Sequence, residues 1–193
     1  MTIHVKGTEP YAWPYDGRLA GRHTALVLAG WDDEWARRTR PDPEAMDRCM
    51  ALARAVDAIG GLVVVVAHAG AASLPVEVDH VATVAAPAID GFYASPLDDL
   101  LRTSGRTHLL VAGLGIEAAV HSTLRSANDR GYECLLVVDA CTAITDDLAE
   151  ACAKQVTMSG GIFGANGRAD AVITALLDRS PDLVPSPPQE AAP

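Results

Sequence analysis

Residues 107–142 constrain the fold more than any other part of this chain. Two short apolar runs rich in Val and Leu, residues 108–112 and 133–138, flank a segment of helical length at 116–130. Such runs, bounded by turn residues, are typical of strands that are covered on both faces in a parallel sheet. Two parallel strands joined through a helix form a right-handed unit that binds ligands beyond the carboxyl ends of its strands. We therefore predict that any site includes the turn at 113–115 and the first turn of the helix.

The rest of the chain repeats this alternation. The pattern predicts further strands at 24–30, 62–67, 80–84 and 160–164, and further helices at 43–59, 96–104, 145–157 and 169–179. Asp42 and Pro43 supply a capping residue and a proline at the first position of the helix at 43–59. Alternating elements of this kind predict an α/β protein, a doubly wound six-stranded parallel sheet flanked by helices in a Rossmann-like three-layer arrangement.

Composition divides the chain into three regions. Residues 1–23 are polar and rich in Pro and Gly, which predicts an irregular N-terminal arm whose aromatic side chains pack on the domain or on a neighbouring subunit. Residues 24–179 are expected to form one domain with a single core. Residues 180–193 contain five prolines and predict a disordered tail.

Charge and motifs exclude several classes of function. The net charge of -10 argues against nucleic-acid and anionic-membrane partners. No apolar run approaches about 20 residues and no secretion signal is recognisable, so we expect a soluble cytoplasmic protein. The four cysteines, at 49, 134, 141 and 152, show neither a C-x-x-C pair nor a zinc spacing. No G-x-G-x-x-G follows the first strand, so a dinucleotide is not supported. No cofactor and no metal are expected.

A few side chains near the strand ends carry chemistry. Glu117 and His121 are four residues apart and share a helix face, and either is a candidate acid or base. After the first strand, Trp31 is placed to form a wall of the pocket, and Asp32 or Asp33 to supply a carboxylate. The alternative is a solvated acidic turn with Trp31 as a core or interface anchor. At the end of the second strand, His68 is either a ligand-binding group or a hydrogen-bonded structural residue.

The central stretch resembles the nucleophile segment of the isochorismatase-like cysteine hydrolases, most closely the branch of biuret, triuret and ureidoacrylate amidohydrolases. In that family a strand, a turn, an acidic residue, a small residue and then the nucleophilic cysteine run into a helix. The similarity covers nearly the whole chain to about residue 178. It includes Arg125, Asn128-Asp129-Arg130-Gly131-Tyr132, Asp139-Ala140-Cys141-Thr142, Gly160-Gly161-Ile162-Phe163-Gly164 and Tyr11-Ala12-Trp13-Pro14-Tyr15.

The resemblance implies a triad of cysteine, aspartate and lysine, in which the thiolate attacks an amide carbon. By register the aspartate falls on Gly30, the lysine on Ala86 and the cysteine on Ala119. None of these residues offers a nucleophile, a base or a charge, so we predict that thiol-dependent amidase activity is absent. The resemblance also implies a cis peptide bond in the turn, at Leu114–Gly115. Relatives that bind a metal use an Asp-x-His spacing that Asp79-His80 does not match.

Two functions remain open. The first is a pseudoenzyme that binds a small molecule or serves as a structural partner subunit. The second is a repurposed enzyme, a hydrolase or lyase acting without covalent catalysis on a small polar amide or acid, with Glu117 or His121 as acid or base and Asp32 or Asp33 assisting. An enzyme should show these groups converging on an open cavity, whereas a structural subunit should have a filled one. The expected ligand-lining residues are Trp31, His68, Phe92, Tyr93, Leu114, Gly115, Ile116 and Ala118.

Assembly is expected by resemblance, because the relatives form dimers or tetramers through helix faces. We therefore predict a homo-oligomer, or a complex with an active paralogue.

Overall fold

A computed structural model of the chain describes residues 3–40, 42–68 and 77–178. Its centre is a six-stranded sheet in which every neighbouring pair is parallel. The strands are β1 Thr24–Ala29, β2 Leu62–Ala67, β3 Val81–Ala85, β4 His108–Gly113, β5 Glu133–Cys141 and β6 Ala165–Gly167. The helices are α1 Asp33–Arg38, α2 Pro43–Ala58, α3 Leu97–Thr103, α4 His121–Asp129, α5 Asp146–Met158 and α6 Ala169–Leu177.

The strand order β3-β2-β1-β4-β5-β6 places a topological switch at the centre of the sheet. The chain runs outward from β1 to β2 and β3, and then returns to place β4 on the other side of β1. Ligands of doubly wound sheets bind beyond the carboxyl ends of the strands at such a switch. In this protein that position lies just past Ala29 and Gly113, which are paired in register.

Helices cover both faces of the sheet and bury two apolar clusters. One cluster joins the Leu26 and Leu28 face of β1 to α2 and α6. The other joins the Val27 face to α3, α4 and α5. All six residues of β1 are buried, as expected for a central strand covered on both faces. The predicted six-stranded, three-layer α/β fold is confirmed.

Two local predictions were wrong. Residues 160–164 form a turn rather than the last strand, because Gly160, Gly161 and Gly164 all have positive φ. The strand begins only after this segment, at Ala165. The cis peptide bonds among the described residues are Glu9–Pro10 and Trp13–Pro14, so Leu114–Gly115 is trans. The central turn instead depends on the positive φ of its glycines, +130° at Gly113 and +76° at Gly115.

The N-terminal arm packs on the domain. Trp13 is fully buried and Val5 nearly so, and both belong to the α2–α6 cluster. The arm also pairs with β6 through a bridge between Glu9 and Asn166. Tyr15, in contrast, is 80% exposed. The predicted disordered tail at 180–193 lies outside the described residues.

None of the helices in the described part of the chain is both long enough and apolar enough to cross a membrane.

Candidate functional site

The carboxyl ends of β1 and β4 bring together two of the positions that the resemblance singles out. Gly30 follows β1 with φ +68°, and a β-carbon added there would lie 3.0 Å from Cβ of Ala119. The same β-carbon would overlap the carbonyl oxygen of Leu114. Positive φ and this close approach together favour glycine at position 30. The backbone at position 30 therefore leaves no room for a side chain.

The indole of Trp35 fills the space beside these residues. A β-carbon on Gly115 would lie 2.7 Å from Cε3 of Trp35, and one on Gly30 would lie 3.3 Å from its Cγ. Trp35 is 5% exposed and packs in the same apolar cluster as Ala119. It belongs to α1, which starts four residues after β1 ends, so the helix lays the ring directly over the central turn. Trp35 was not among the predicted site residues, and the one sequence signal for it is its place shortly after the end of β1.

Backbone amides in the turn are already hydrogen-bonded. Gly115 and Ile116 both donate to the carbonyl of Thr142, at 3.1 and 2.9 Å. Ala118 and Val120 both donate to the carbonyl of Gly115, at 3.0 and 3.2 Å. Residues Ile116–Val120 form a single π-helical turn that precedes α4. Single π turns occur often at functional sites, but these four amides have no remaining capacity to hold an oxyanion.

Asp32 has a structural use on the β2 side of the turn. Its Oδ1 accepts hydrogen bonds from the amides of Glu34 and Trp35, each at 3.0 Å, and so caps α1. Its Oδ2 accepts from the amide of His68 at 2.8 Å. Asp33 is exposed in the first turn of α1.

His68 lies at the carboxyl end of β2, as predicted, with a mostly buried side chain. Its Nε2 is 2.8 Å from the carbonyl oxygen of Ile89, and its Nδ1 is 3.7 Å from Oδ2 of Asp32. The ring also packs edge-on against Trp35, with centroids 6.5 Å apart. This geometry fits the hydrogen-bonded structural residue that was one of the two alternatives.

Glu117 and His121 lie on the other side of the turn, toward β5 and α5. Oε1 of Glu117 accepts from the amide of Ile144 at 2.6 Å, while its Oε2 is buried and, within the described residues, has no hydrogen-bond partner. The ring of His121 packs edge-on against Phe163, on whose face the Arg125 guanidinium lies at 4.0 Å. Burial and the nearby Arg125 lower the pKa of His121, and its Nε2 likewise lacks a partner in the described structure.

The remaining predicted residues are mostly buried side chains of the core. Ala86 is 2% exposed, and its amide donates to the carbonyl of Ala67 at 2.9 Å. Phe92 packs against Tyr132 at a centroid distance of 5.9 Å, whereas Tyr93 is largely exposed. Trp31, Leu114 and Ile116 are also buried, and Ala118 is half-buried. The role of these residues in ligand binding stays a prediction.

The cysteines offer no activated thiol. All four are free, and burial raises the pKa of Cys49 to about 12. Burial also raises the pKa of Cys141 well above its usual range, and its Sγ lies 3.3 Å from the carbonyl oxygen of Val137. A thiol with a raised pKa is a poor nucleophile at neutral pH.

The sheet order, the glycine turn and the helix that follows it define the class as a doubly wound, three-layer α/β protein. Residues 72–165 match the family model of the isochorismatase domain. This match over residues 72–165 confirms the resemblance to the isochorismatase-like cysteine hydrolases.

One curated relative and several solved structures agree with this assignment. The chain is 41% identical over 54 residues to ureidoacrylate amidohydrolase RutB of Methylobacterium radiotolerans, a match that spans 28% of this chain and 21% of that protein. A cysteine hydrolase from Pseudomonas syringae pv. phaseolicola superposes with a TM-score of 0.70 at 14% identity, covering 82% of this chain and 94% of the other. An isochorismatase family protein from Burkholderia thailandensis gives 0.67 at 20% identity, covering 80% and 96%. At these identities the solved structures share the fold.

Proposed function

We propose that this protein uses the isochorismatase fold without thiol-dependent amide hydrolysis, and that it acts as a subunit of a homo-oligomer. The observation that carries the proposal is the position of Trp35, whose indole packs against Gly115 and Gly30 beside Ala119. In a working amidohydrolase this space would have to admit a substrate carbonyl beside the nucleophile. A filled space is what we expect of a structural subunit.

Three further features support lost chemistry. The positions that correspond by resemblance to the triad hold Gly30, Ala86 and Ala119, which carry no reactive group. The amides of Gly115, Ile116, Ala118 and Val120 donate to the carbonyls of Thr142 and Gly115, so these four are not available to stabilise a developing negative charge. Asp32 is the acidic group nearest in sequence to position 30, and its two oxygens accept bonds from α1 and from His68. A carboxylate in these bonds is poorly placed to take a proton from a substrate or a water.

An apolar stripe along α5 supports self-assembly. Exposed residues recur at helical spacing along one side of this helix and continue past both of its ends, at 144, 148, 151, 155, 158 and 162. Four of the six are large and apolar, namely Ile144, Leu148, Met158 and Ile162, and the other two are Ala151 and Gln155. Because the stripe carries no charge in a protein of net charge -10, a second copy of the same surface is the partner that it fits.

Ammonia release tests the catalytic half of the proposal. Purified protein is incubated with ureidoacrylate, biuret and nicotinamide, and we expect no ammonia above the enzyme-free blank. The proposal would be contradicted if the wild-type protein released ammonia and if iodoacetamide abolished that release. Such a result would require one of the four cysteines to act as a nucleophile.

Molar mass measured by light scattering after size-exclusion chromatography tests the assembly half. We expect the wild-type protein to be a dimer or larger and Leu148→Glu to shift it toward the monomer. Leu177→Glu is the matched control, because it makes the same change at an exposed leucine of α6. A monomeric wild-type protein, or an equal effect of both substitutions, would contradict self-assembly through α5.

The repurposed enzyme remains a second candidate, favoured by one observation. Oε2 of Glu117 and Nε2 of His121 are both buried and lack hydrogen-bond partners within the described residues, and such groups are costly unless they have a use. This candidate predicts that a small polar amide or acid protects the protein against thermal unfolding, and that Glu117→Gln and His121→Asn abolish the protection. If no compound in a panel of such amides and acids raises the melting temperature, the structural role is favoured.

A further inference from the structure

Three side chains of types that bind metals well meet at the amino ends of the strands, at the opposite end of the sheet from the central turn. His108 is the first residue of β4, Glu133 is the first residue of β5, and the two are register partners in the parallel pair. Asp16 reaches them from the N-terminal arm. One ligand atom from each of the three residues lies within 4.8 Å of the other two. The strands place this cluster at their amino ends, away from Gly30 and Ala119.

The two separations from the imidazole suit a single cation. Nε2 of His108 lies 3.2 Å from Oδ1 of Asp16 and 3.5 Å from Oε2 of Glu133. Charge-assisted N–H···O bonds are shorter, about 2.7–2.9 Å, and one N–H cannot point well at two oxygens. An ion about 2.1 Å from each atom would see these pairs at angles of about 100–115°, between octahedral and tetrahedral geometry.

The surroundings prepare the imidazole for a metal. His108 is 4% exposed and packs edge-on against Trp13, which fixes its ring plane. Its Nδ1 lies 2.9 Å from Oγ1 of Thr107, an acceptor for the Nδ1 proton of the neutral tautomer. A metal ion would bind this tautomer, in which the lone pair of Nε2 faces the carboxylates, and an outer hydrogen bond of this kind is typical of metal-binding histidines.

The carboxylates are held in place while one side stays open. The second oxygen of Glu133 accepts a hydrogen bond from the amide of Tyr15, and Oδ1 of Asp16 accepts from the amide of Arg18 at 2.9 Å. The side chains of Asp16 and Glu133 are 40% and 23% exposed, so water can reach the cluster and complete a coordination sphere. Two carboxylates and a neutral imidazole carry a charge of -2, which a divalent cation balances.

We propose that Asp16, His108 and Glu133 form a binding site for a divalent transition metal, of which Zn²⁺ is the probe of choice. The mixed nitrogen and oxygen ligand set favours Zn²⁺ over Mg²⁺, which prefers oxygen ligands alone. The site links the N-terminal arm to the neighbouring strands β4 and β5, so the bound ion would hold the arm against the sheet. This departs from the expectation of no metal, which rested on short sequence spacings; here the ligands are up to 117 residues apart in the chain, from Asp16 to Glu133.

Calorimetry with the full-length protein, stripped of metal by a chelator, tests the site. We expect one Zn²⁺ per chain and a higher melting temperature with Zn²⁺, with Mg²⁺ as the control for ionic strength. Asp16→Asn and Glu133→Gln should each weaken Zn²⁺ binding by at least about tenfold, since even outer-shell partners of metals are worth about 10–100-fold. Asp33→Asn, which changes an exposed carboxylate of α1, should leave binding unchanged.

Three results would overturn the proposal. The first is the absence of Zn²⁺ binding by the wild-type protein, and the second is binding that persists unchanged in both Asp16→Asn and Glu133→Gln. The third comes from the Co²⁺-substituted protein: an intense near-ultraviolet thiolate band would place the ion on a cysteine. Because Asp16 is an exposed arm residue, its isosteric variant should fold, so loss of binding there reports on the ligand and not on the fold.

Discussion

At the scale of single residues, the conformation of the central turn depends on glycines that have no β-carbon. Gly30 and Gly115 both have positive φ, and both face the ring of Trp35. Each glycine therefore has two independent reasons to be glycine, a backbone conformation and a lack of space. These two costs can be separated, because the chain also contains positive-φ glycines with open space around them.

Gly30→Ala is expected to destabilise the protein by about 3 kcal/mol or more, because left-handed strain adds to overlap with Leu114 and crowding against Ala119. Gly60→Ala is the matched control: φ is +73° there, but a β-carbon would meet no atom within 4 Å. It should cost only the strain, about 1–2 kcal/mol. Urea unfolding at equilibrium measures both free energies, and equal costs would show that the space beside Gly30 is not filled as described.

Gly115→Ala tests whether Trp35 closes the turn. The added β-carbon would lie 2.7 and 2.8 Å from two ring carbons of Trp35, so the substitution should be much less harmful once the ring is gone. In a double-mutant cycle, Gly115→Ala with Trp35→Ala should be more stable than the sum of the single changes predicts, by about 1–3 kcal/mol. Additive effects within about 0.5 kcal/mol would mean that ring and turn are not in contact.

At the scale of elements, α1 owes its position to one carboxylate. Asp32 caps the helix and also accepts from the amide of His68, so it joins α1 to the end of β2. Asp32→Ala should cost about 2.5–4 kcal/mol, since a cap is worth about 1 and a buried bond to a charged group about 1.5–3. Asp33→Ala, in the exposed first turn, should cost about 0.5 kcal/mol or less. Thermal unfolding compares the pair, and a similar small cost for both would argue that Asp32 is free for chemistry.

A second carboxylate gives the edge of the sheet a pH dependence. Asp57, at the end of α2, accepts hydrogen bonds from the amides of Asp79 and His80 and lies 2.8 Å from Nδ1 of His80. Burial raises the pKa of Asp57, but the bonds from His80 and Asp79 outweigh it, so the pKa is lowered. The stability contribution of Asp57 is therefore present above the unfolded pKa, about 3.9, and is lost as pH falls through the folded value.

The variant Asp57→Asn should remove this dependence. We expect urea unfolding of the wild-type protein to lose stability below about pH 4 more steeply than that of the variant. Asp47→Asn, at another position of α2, should leave the wild-type slope in place. If wild type and Asp57→Asn have parallel pH profiles, the link between α2 and the start of β3 does not depend on this carboxylate.

Local patterns predicted the elements well and the site only in part. The runs of Val and Leu predicted the strands along the chain, and the resemblance to the cysteine hydrolases singled out Gly30 and Ala119, which the structure brings together. The failure at 160–164 arose because apolar residues between glycines read as a strand, while positive φ makes the segment a turn. No local sequence pattern predicts the contact of Trp35 with Gly115 or that of Asp16 with His108. The second contact joins residues that are 92 positions apart in the chain.

At the scale of the whole molecule, the N-terminal arm behaves as a part of the core. Trp13 is fully buried in the cluster that includes α2 and α6, and the arm pairs with β6 at Glu9 and Asn166. The proposed metal site would hold the same arm at the amino ends of β4 and β5. The arm thus covers the amino ends of the strands, while α1 covers the carboxyl ends of β1 and β4 at the turn. Each end of the strands is thus covered by a segment that contains a buried tryptophan, Trp13 in the arm and Trp35 in α1.

Trp13→Ala is expected to destabilise the whole domain by about 3–5 kcal/mol, because it removes a fully buried indole from the main cluster. Tyr15→Ala, two residues away and 80% exposed, should change stability by no more than about 0.5 kcal/mol. Urea unfolding followed by both fluorescence and circular dichroism should give one coincident transition for each variant, since an arm within the core unfolds with the domain. A separate early transition, or a small effect of Trp13→Ala, would instead make the arm an independent attachment whose removal leaves the sheet intact.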